Sequence, residues 1–407
     1  MKNVDIKENR YELMVRFLFW MITAAYGIAC FYLFFNQSTR PLDYDNRFFQ
    51  SDLPYHISMV VDDGWYYSLT ALIYLILFKI DGGGTFYIAL FLALVSILTV
   101  LATEKLLKEL GVRSAGISCS AAILLNLVMP FYVKWAGAYR YVSYQAGNVW
   151  HNSTYQCMKL GALMCMLLYL RFDKKYDRGR LVTKDLIQFA IVLAITTFIK
   201  PSFLTVFAPA FAVILLWDLI KHKVKFVNTL LFGITVLPAC GVMLWQNSIL
   251  FGDETEHGFK ISFMETFMLH ADRPKVTIVL SLAFPIVIFI SQFLLWLFER
   301  KKSDSFNFKY AFDRKYVFSI IMAAVGFLEA ILLVETGSRS RDGNFLWGYS
   351  FAMFWLYLIS FKKWHELLQK RKWIPLAISS AVLIYQFICG AIFFSRLMYG
   401  ETYFMMQ

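Results

Sequence analysis

Long apolar runs are the feature of this sequence that most restricts its fold. A helix needs roughly 20 apolar residues to cross a bilayer, and runs near this length lie at 14–35, 65–80, 85–103, 115–133, 155–172, 186–200, 203–220, 227–251, 277–298, 316–334, 346–361 and 374–396. Only 17% of the 407 residues are charged, whereas soluble domains carry about 25%. The sequence therefore predicts an all-α, polytopic transmembrane helical bundle with about 11–12 apolar segments, forming a single membrane domain over residues 1–407.

The net charge of +12 is explained by basic residues in the loops of a membrane protein and does not indicate nucleic-acid binding. Basic residues concentrate in the short loops 104–113, 173–185, 221–225, 300–315 and 362–372. Cytoplasmic loops carry such an excess of Lys and Arg, so we expect these loops and the basic N-terminus in the cytoplasm. The pattern predicts a multi-pass protein of the cell membrane, in contact with membrane lipids.

The remaining loops are longer, aromatic and mixed in charge, and they lie at 36–64, 134–154, 252–276 and 335–345. We expect them on the extracytoplasmic side, where they form a candidate active-site face. The alternation of inner and outer loops fails at one segment, because residues 65–80 would have to start and end outside. Its helix would be roughly 24 Å long, short of a hydrocarbon core about 30 Å thick. We predict that it dips into the membrane without crossing; the alternative is that another span is misassigned.

The first outer loop carries a carboxylate and an imidazole four residues apart. Ser51 or Asp52 is a suitable N-cap for a helix starting near Leu53, with Pro54 in its first turn. In that helix Asp52 and His56 share a face, and such a pair can take a proton from an attacking hydroxyl. The sequence leaves a second interpretation open, in which Asp52 is only the N-cap and His56 is an interfacial residue.

The second outer loop ends in a strong helix-start signal. His151 is followed by Asn152, Ser153 and Thr154, which are good caps for a helix beginning near residue 155. The free N–H groups and the positive dipole end of such a helix suit a phosphate. Lys200, at the outer turn between two spans, adds a cation. Lys159 would lie at membrane depth, where a cation requires a partner, and we expect that partner to be anionic.

The fourth outer loop combines acidic, basic, amide and aromatic side chains within thirteen residues: Glu335, Arg339, Arg341, Asn344 and Trp347. Two Arg residues flanked by Gly can hold a phosphate or pyrophosphate bidentately. The indole of Trp347 offers a flat apolar face for a sugar ring or a prenyl chain. A structural ion-pair cluster is the alternative.

The third outer loop is rich in acidic residues and histidine, with Asp253, Glu254, Glu256, His257, Glu265 and His270. Their spacing matches no compact metal motif. We therefore interpret them as a solvated loop that lines a cleft and predict no cofactor, although a divalent metal remains possible.

The layout resembles the GT-C class of integral-membrane glycosyltransferases, which includes protein mannosyltransferases and the aminoarabinose transferase of lipid A. Asp52 carries the resemblance within Ser51-Asp-Leu-Pro-Tyr-His56, on the outer loop after the first span; Asp43 and Asp45 add to it less specifically. The segment from His151 to Thr154 and the stretch from Glu335 to Trp347 resemble blocks in bacterial membrane proteins of similar layout.

This resemblance implies inverting transfer of a sugar from a polyprenyl-phosphate donor to a glycan or lipid acceptor, as in the synthesis of cell-envelope polysaccharide. Asp52 would be the general base on the acceptor hydroxyl. Arg339 and Arg341, with Lys200 or Lys159, would hold the lipid phosphate and stabilise it as the leaving group.

The same resemblance assigns supporting roles and leaves rival functions open. His56 and His151 would orient the reacting groups, and Trp150 and Trp347 would line the sugar site. A polysaccharide repeat-unit polymerase or ligase also acts on lipid-linked glycans, but typically lacks a base in the first outer loop. A lipid or solute transporter tends to have two similar halves and broken helices near the midplane, and the sequence indicates neither.

Overall fold

The chain folds as a helical bundle. The computed structural model describes residues 2–40, 48–136, 145–221, 225–251, 258–271, 273–299, 311–337, 343–402 and 405–406. Helices account for most of these residues, and the strands found among them form a single two-stranded ribbon. The all-α class predicted from the apolar runs is confirmed.

Every predicted run contains helix. The first half of the chain forms α1 (Lys2–Thr39), α2 (Leu53–Val61), α3 (Leu69–Ile80), α4 (Phe86–Glu109), α5 (Ala115–Leu127), α6 (Ser153–Tyr176), α7 (Thr183–Ile199) and α8 (Ser202–Ile220). The second half forms α9 (Phe226–Ile234), α10 (Leu237–Phe251), β1 (Phe259–Ile261), α11 (Glu265–His270), α12 (Pro274–Ser281), α13 (Ala283–Glu299), α14 (Arg314–Leu332), β2 (Leu333–Glu335), α15 (Leu346–Gln369) and α16 (Trp373–Met398).

The described part of the chain contains six helices that are long and apolar enough to cross a membrane. They are Arg10–Thr39, Phe86–Glu109, Ser202–Ile220, Phe226–Leu250, Arg314–Leu332 and Trp373–Met398. Counting the bent pair of α12 and α13 as one span gives seven. The protein is therefore a multi-pass membrane protein.

Two of the predicted continuous spans are broken, so the expectation of unbroken helices was wrong. Helix α5 has 13 residues, a length of about 20 Å, and the chain then continues in an extended form toward Pro130. Helices α12 and α13 are bent by 66° against each other. The cause there is Pro285, which has no N–H to donate to the carbonyl of Ser281; the hydroxyl of Tyr357 donates to that carbonyl instead, at 2.6 Å.

Helix α3 is also short. It has 12 residues, which gives about 18 Å of helix against a hydrocarbon core of about 30 Å. This length agrees with a segment that enters the membrane without crossing it. The dip itself stays a prediction.

Asn148 closes the broken end of α5. Its amide donates to the carbonyls of Leu125 and Val128, at 2.9 and 2.7 Å. Its side-chain oxygen accepts from Lys159 at 2.6 Å, and the ammonium lies 3.6 Å from the ring centroid of Phe354. Among the described residues no carboxylate forms an ion pair with Lys159, and its anionic partner stays a prediction. The negative end of the α5 dipole supplies part of the compensation.

The loops separate into two ends of the bundle. The basic end contains residues 109–115, 173–185, 313–315 and 362–372. There Arg314 bridges the buried carboxylates of Asp173 and Asp218, and Lys362 and Lys363 both bind Asp313. The loop end contains residues 48–68, 145–152, 258–271 and 343–347, which contact one another as described next.

Candidate functional site

The carboxylate of Asp52 does not cap the helix that follows it. Asp52 occupies the N-cap position of α2, but its side chain makes no capping hydrogen bond. The hydroxyl of Ser51 accepts from the backbone N–H of Leu53 at 3.3 Å instead. Asp52 accepts from the amide of Asn152 at 2.8 Å, and its own N–H donates to the carbonyl of His151 at 3.1 Å. The interpretation of Asp52 as only an N-cap is therefore wrong.

Asn152 joins three parts of the chain. Its side-chain oxygen accepts from the backbone N–H of Tyr155 at 2.9 Å, which confirms the predicted cap of α6. The same oxygen accepts from the hydroxyl of Thr154 at 2.9 Å and lies 3.5 Å from the ammonium of Lys200. Its NH₂ group binds Asp52. This buried amide therefore contacts a carboxylate through its nitrogen and an ammonium group through its oxygen.

Lys200 lies where α7 ends and the chain turns into α8. Its backbone is extended at this C-cap position. The ammonium donates to Thr154 at 3.0 Å and lies 5.3 Å from the ring centroid of Trp347. A cation at this distance from an indole face is attracted by the ring quadrupole.

Trp347, in the first turn of α15, connects these groups to the fourth loop. Its ring centroid lies 5.7 Å from that of His151. Its indole N–H donates to Asn344 at 3.2 Å, and the amide of Asn344 donates to Glu335 at 2.6 Å. We use the name site cluster for the residues joined in this way: Asp52, His151, Asn152, Lys200, Glu335, Asn344 and Trp347.

His56 lies one turn after Asp52 on α2 and lines a narrow pocket between α2, α3 and the start of α6. We call it the α2–α3 pocket; its lining includes Ser68, Tyr74 and Thr154. Thr154 belongs to both surroundings, because its hydroxyl also contacts Asn152. Of the predicted pair, Asp52 therefore belongs to the site cluster, and His56 lines the adjacent pocket.

The charges of the site cluster act on His151. Burial lowers the pKa of His151 below its ordinary value, Asp52 raises it and Lys200 lowers it, and the net direction is downward. The imidazole is therefore neutral at pH 7 and available as a hydrogen-bond acceptor or donor. Trp150, the neighbouring residue, is buried against Phe393 and Phe394 and donates to the hydroxyl of Tyr26. Trp150 and His151 line one cavity, and the predicted place of Trp150 in a sugar site stays a prediction.

A short ribbon ties the third loop to the fourth. Strands β1 and β2 pair antiparallel, with Phe259 opposite Glu335. Lys260 forms an ion pair with Glu265 at 3.0 Å, just after β1. The sequence contained no strand signal long enough to predict this ribbon, since each strand has only three residues. The described residues contain no group of three or more His, Cys, Asp or Glu side chains placed to hold a metal ion.

Several predicted residues lie outside the described part of the chain. These are Asp43, Asp45, Asp253, Glu254, Glu256, His257, Arg339 and Arg341. Their roles stay predictions.

Sequence reasoning missed Glu329, which lies near the loop end of α14. Its carboxylate accepts from the hydroxyl of Thr205 at 2.9 Å, and a Cβ on Gly348 would lie 3.5 Å from it. Gly348 directly follows Trp347, so this acid borders the site cluster. The available signal was a single Glu inside the apolar run 316–334, because an ionisable residue within a span is a functional candidate.

No protein-family model matches the chain, and no curated protein matches it. The fold and the site cluster therefore define the protein as a multi-pass membrane protein with a polar, hydrogen-bonded cluster at one end.

Proposed function

We propose that the protein is a membrane glycosyltransferase of the GT-C type. It moves a sugar from a polyprenyl-phosphate-linked donor to a hydroxyl of a glycan or lipid acceptor. The observation that carries the proposal is the meeting of Asp52, Asn152 and Lys200, whose side chains are joined by hydrogen bonds although Asp52 and Asn152 are 100 residues apart and Asn152 and Lys200 are 48 apart.

In the proposed chemistry the carboxylate of Asp52 acts on the acceptor hydroxyl, and the ammonium of Lys200 acts on the leaving phosphate. Asp52 takes the proton of the acceptor hydroxyl as its oxygen attacks the anomeric carbon, a role within the usual range of a positioned carboxylate. The bond between that carbon and the phosphate oxygen breaks, and polyprenyl phosphate leaves. Lys200, with Arg339 and Arg341, stabilises the charge on the leaving phosphate. Trp347 presents its indole face to the sugar.

The proposed orientation places the loop end on the extracytoplasmic side of the cell membrane. Its support is the concentration of Lys and Arg in loops at the opposite, basic end, which cytoplasmic loops generally show. The N-terminus is then cytoplasmic. A lipid-linked donor would enter from the outer leaflet, where the site cluster lies.

The test is sugar transfer in isolated membranes. Membranes with the wild-type protein, Asp52→Asn or Asp63→Asn are incubated with a panel of polyprenyl-phosphate sugars labelled with ¹⁴C. Loss of a general base costs about 10²- to 10⁴-fold in rate, so Asp52→Asn should lose incorporation at normal expression. Asp63 is an exposed carboxylate just after α2, and its variant is the matched control. Equal incorporation by Asp52→Asn and the wild type would reject the proposal.

A second candidate function, transport of a lipid or solute, is favoured by the broken spans. Helix α5 ends early and α12 and α13 are bent by 66°, and transporters use such discontinuous helices. Proteoliposomes distinguish the two functions. Movement of labelled lipid-linked sugar across the bilayer without formation of a new glycosidic bond would support transport.

A further inference from the structure

The α2–α3 pocket is lined by a buried tyrosine whose hydroxyl the fold itself does not satisfy. Tyr74 on α3 is fully buried and lines the pocket. Its hydroxyl lies near that of Ser153, but neither group makes a hydrogen bond of normal geometry. Ser153 is 1% exposed. A buried hydroxyl without a partner costs free energy, so the hydroxyl of Tyr74 indicates a polar ligand.

The pocket is narrow and has a mixed lining. It has room for a group of about the size of a water molecule. Its polar wall consists of Tyr74, Thr154 and His56, and its rim includes Trp65 and Tyr67. The two rim rings lie 6.3 Å apart at nearly right angles. A ligand must therefore present a small polar tip to the interior while a larger, flatter body stays at the aromatic rim.

We propose that the α2–α3 pocket binds the hydroxymethyl group of a hexose in the acceptor. This inference rests on the proposed function and names the acceptor class, a glycan or glycolipid with a hexose next to the reacting hydroxyl. The pocket is too narrow to admit a sugar ring, and a hydroxyl attached directly to the ring could enter only together with the ring. A hydroxymethyl arm projects beyond the ring, so its oxygen reaches the hydroxyl of Tyr74. The ring itself stays against Trp65.

The pocket is coupled to the site cluster through two hydrogen bonds. Thr154 lines the pocket and donates to Asn152 at 2.9 Å, and Asn152 donates to Asp52 at 2.8 Å. A hexose anchored by its hydroxymethyl group then presents a ring hydroxyl toward Asp52. The anchoring hydroxyl is a specificity contact and does not react.

The experiment measures binding and needs no transfer reaction. The wild-type protein in phosphatidylcholine nanodiscs is studied by saturation-transfer NMR with methyl β-D-glucopyranoside and with its 6-deoxy analogue, which lacks only the hydroxymethyl oxygen. We expect the strongest saturation at the C6 protons of the glucoside. We also expect about two- to tenfold weaker binding of the 6-deoxy analogue, because it lacks the hydroxyl that makes the buried hydrogen bond.

A matched pair of tyrosine variants tests the role of the pocket. Tyr74→Phe removes the hydroxyl from the pocket, and Tyr169→Phe removes an equally buried hydroxyl without a hydrogen-bond partner, packed against Phe207 and Phe211. The preference for the glucoside should disappear in Tyr74→Phe and persist in Tyr169→Phe. Equal binding of both glycosides by the wild type would mean that the pocket holds only a water molecule, and would overturn the proposal.

Failure of this inference is distinct from failure of the proposed function. Loss of incorporation in Asp52→Asn together with equal binding of the two glycosides would reject the hydroxymethyl pocket alone. Normal incorporation in Asp52→Asn together with preferential binding of the glucoside would reject the catalytic role of Asp52 and leave the sugar-binding pocket standing.

Discussion

The hydrogen bond between Asn152 and Asp52 is the contact on which the site cluster depends most, and its contribution is measurable. A hydrogen bond to a charged group contributes about 1.5–3 kcal/mol. We expect the lower end, about 1.5 kcal/mol, because Asp52 is only partly buried. Asn152→Ser should remove this bond while preserving the cap of α6, since Ser and Asn are similarly good N-caps.

A double-mutant cycle isolates the contact. Asp52→Ala, Asn152→Ser and the double variant are unfolded with SDS in mixed micelles, and the free energy of unfolding is followed by circular dichroism. We expect a coupling energy of about 1.5 kcal/mol. A parallel cycle that pairs Asn152→Ser with Asp63→Ala should give a value near zero. A coupling energy below about 0.5 kcal/mol, the usual scatter for independent sites, would refute the contact.

Two further predictions concern the scaffold. A Cβ on Gly390 would overlap the backbone at the broken end of α5, whereas one on Gly241 meets no atom within 4 Å. Gly390→Ala should therefore lower the free energy of unfolding by about 1–3 kcal/mol. Gly241→Ala, the control, should not lower it. Burial alone would raise the pKa of Asp313, but Lys362 and Lys363 bring it below its ordinary value. Its stabilisation is then lost as the pH falls below about 4. The thermal midpoint should drop less steeply below that pH in Asp313→Asn than in the wild type, and parallel curves would contradict this.

The apolar runs predicted the helices well because a bilayer demands length and composition that can be counted directly. They did not predict the breaks, since apolar composition continues through residues 128–133 and 277–298. Pro130 and Pro285 were the available signals. Whether a proline kinks a span or breaks it depends on other groups that satisfy the freed carbonyls, and the donors here are Asn148 and Tyr357.

The residues of the site cluster were predictable one by one, but their contacts were not. Asp52, Asn152 and Lys200 stood out because polar groups at the ends of spans are costly unless they face a cavity or a partner. Their pairing depends on how α2, α6 and α7 pack, which no local pattern contains.

The broken spans and the site cluster belong to one arrangement, which weakens the case for treating them as marks of competing functions. The segment from Gly147 to Asn152 runs along α15: a Cβ on Gly147 would lie 3.1 Å from Phe354, and the ring of His151 lies against Trp347, seven residues earlier on the same helix. Asn148 in this segment closes the end of α5, and Asn152, four residues later, holds Asp52. Asn148 thus attaches one end of this segment to the broken helix, and Asn152 at its other end positions the proposed base. A scaffold that holds Asp52 rigidly accounts for both features without a transport cycle.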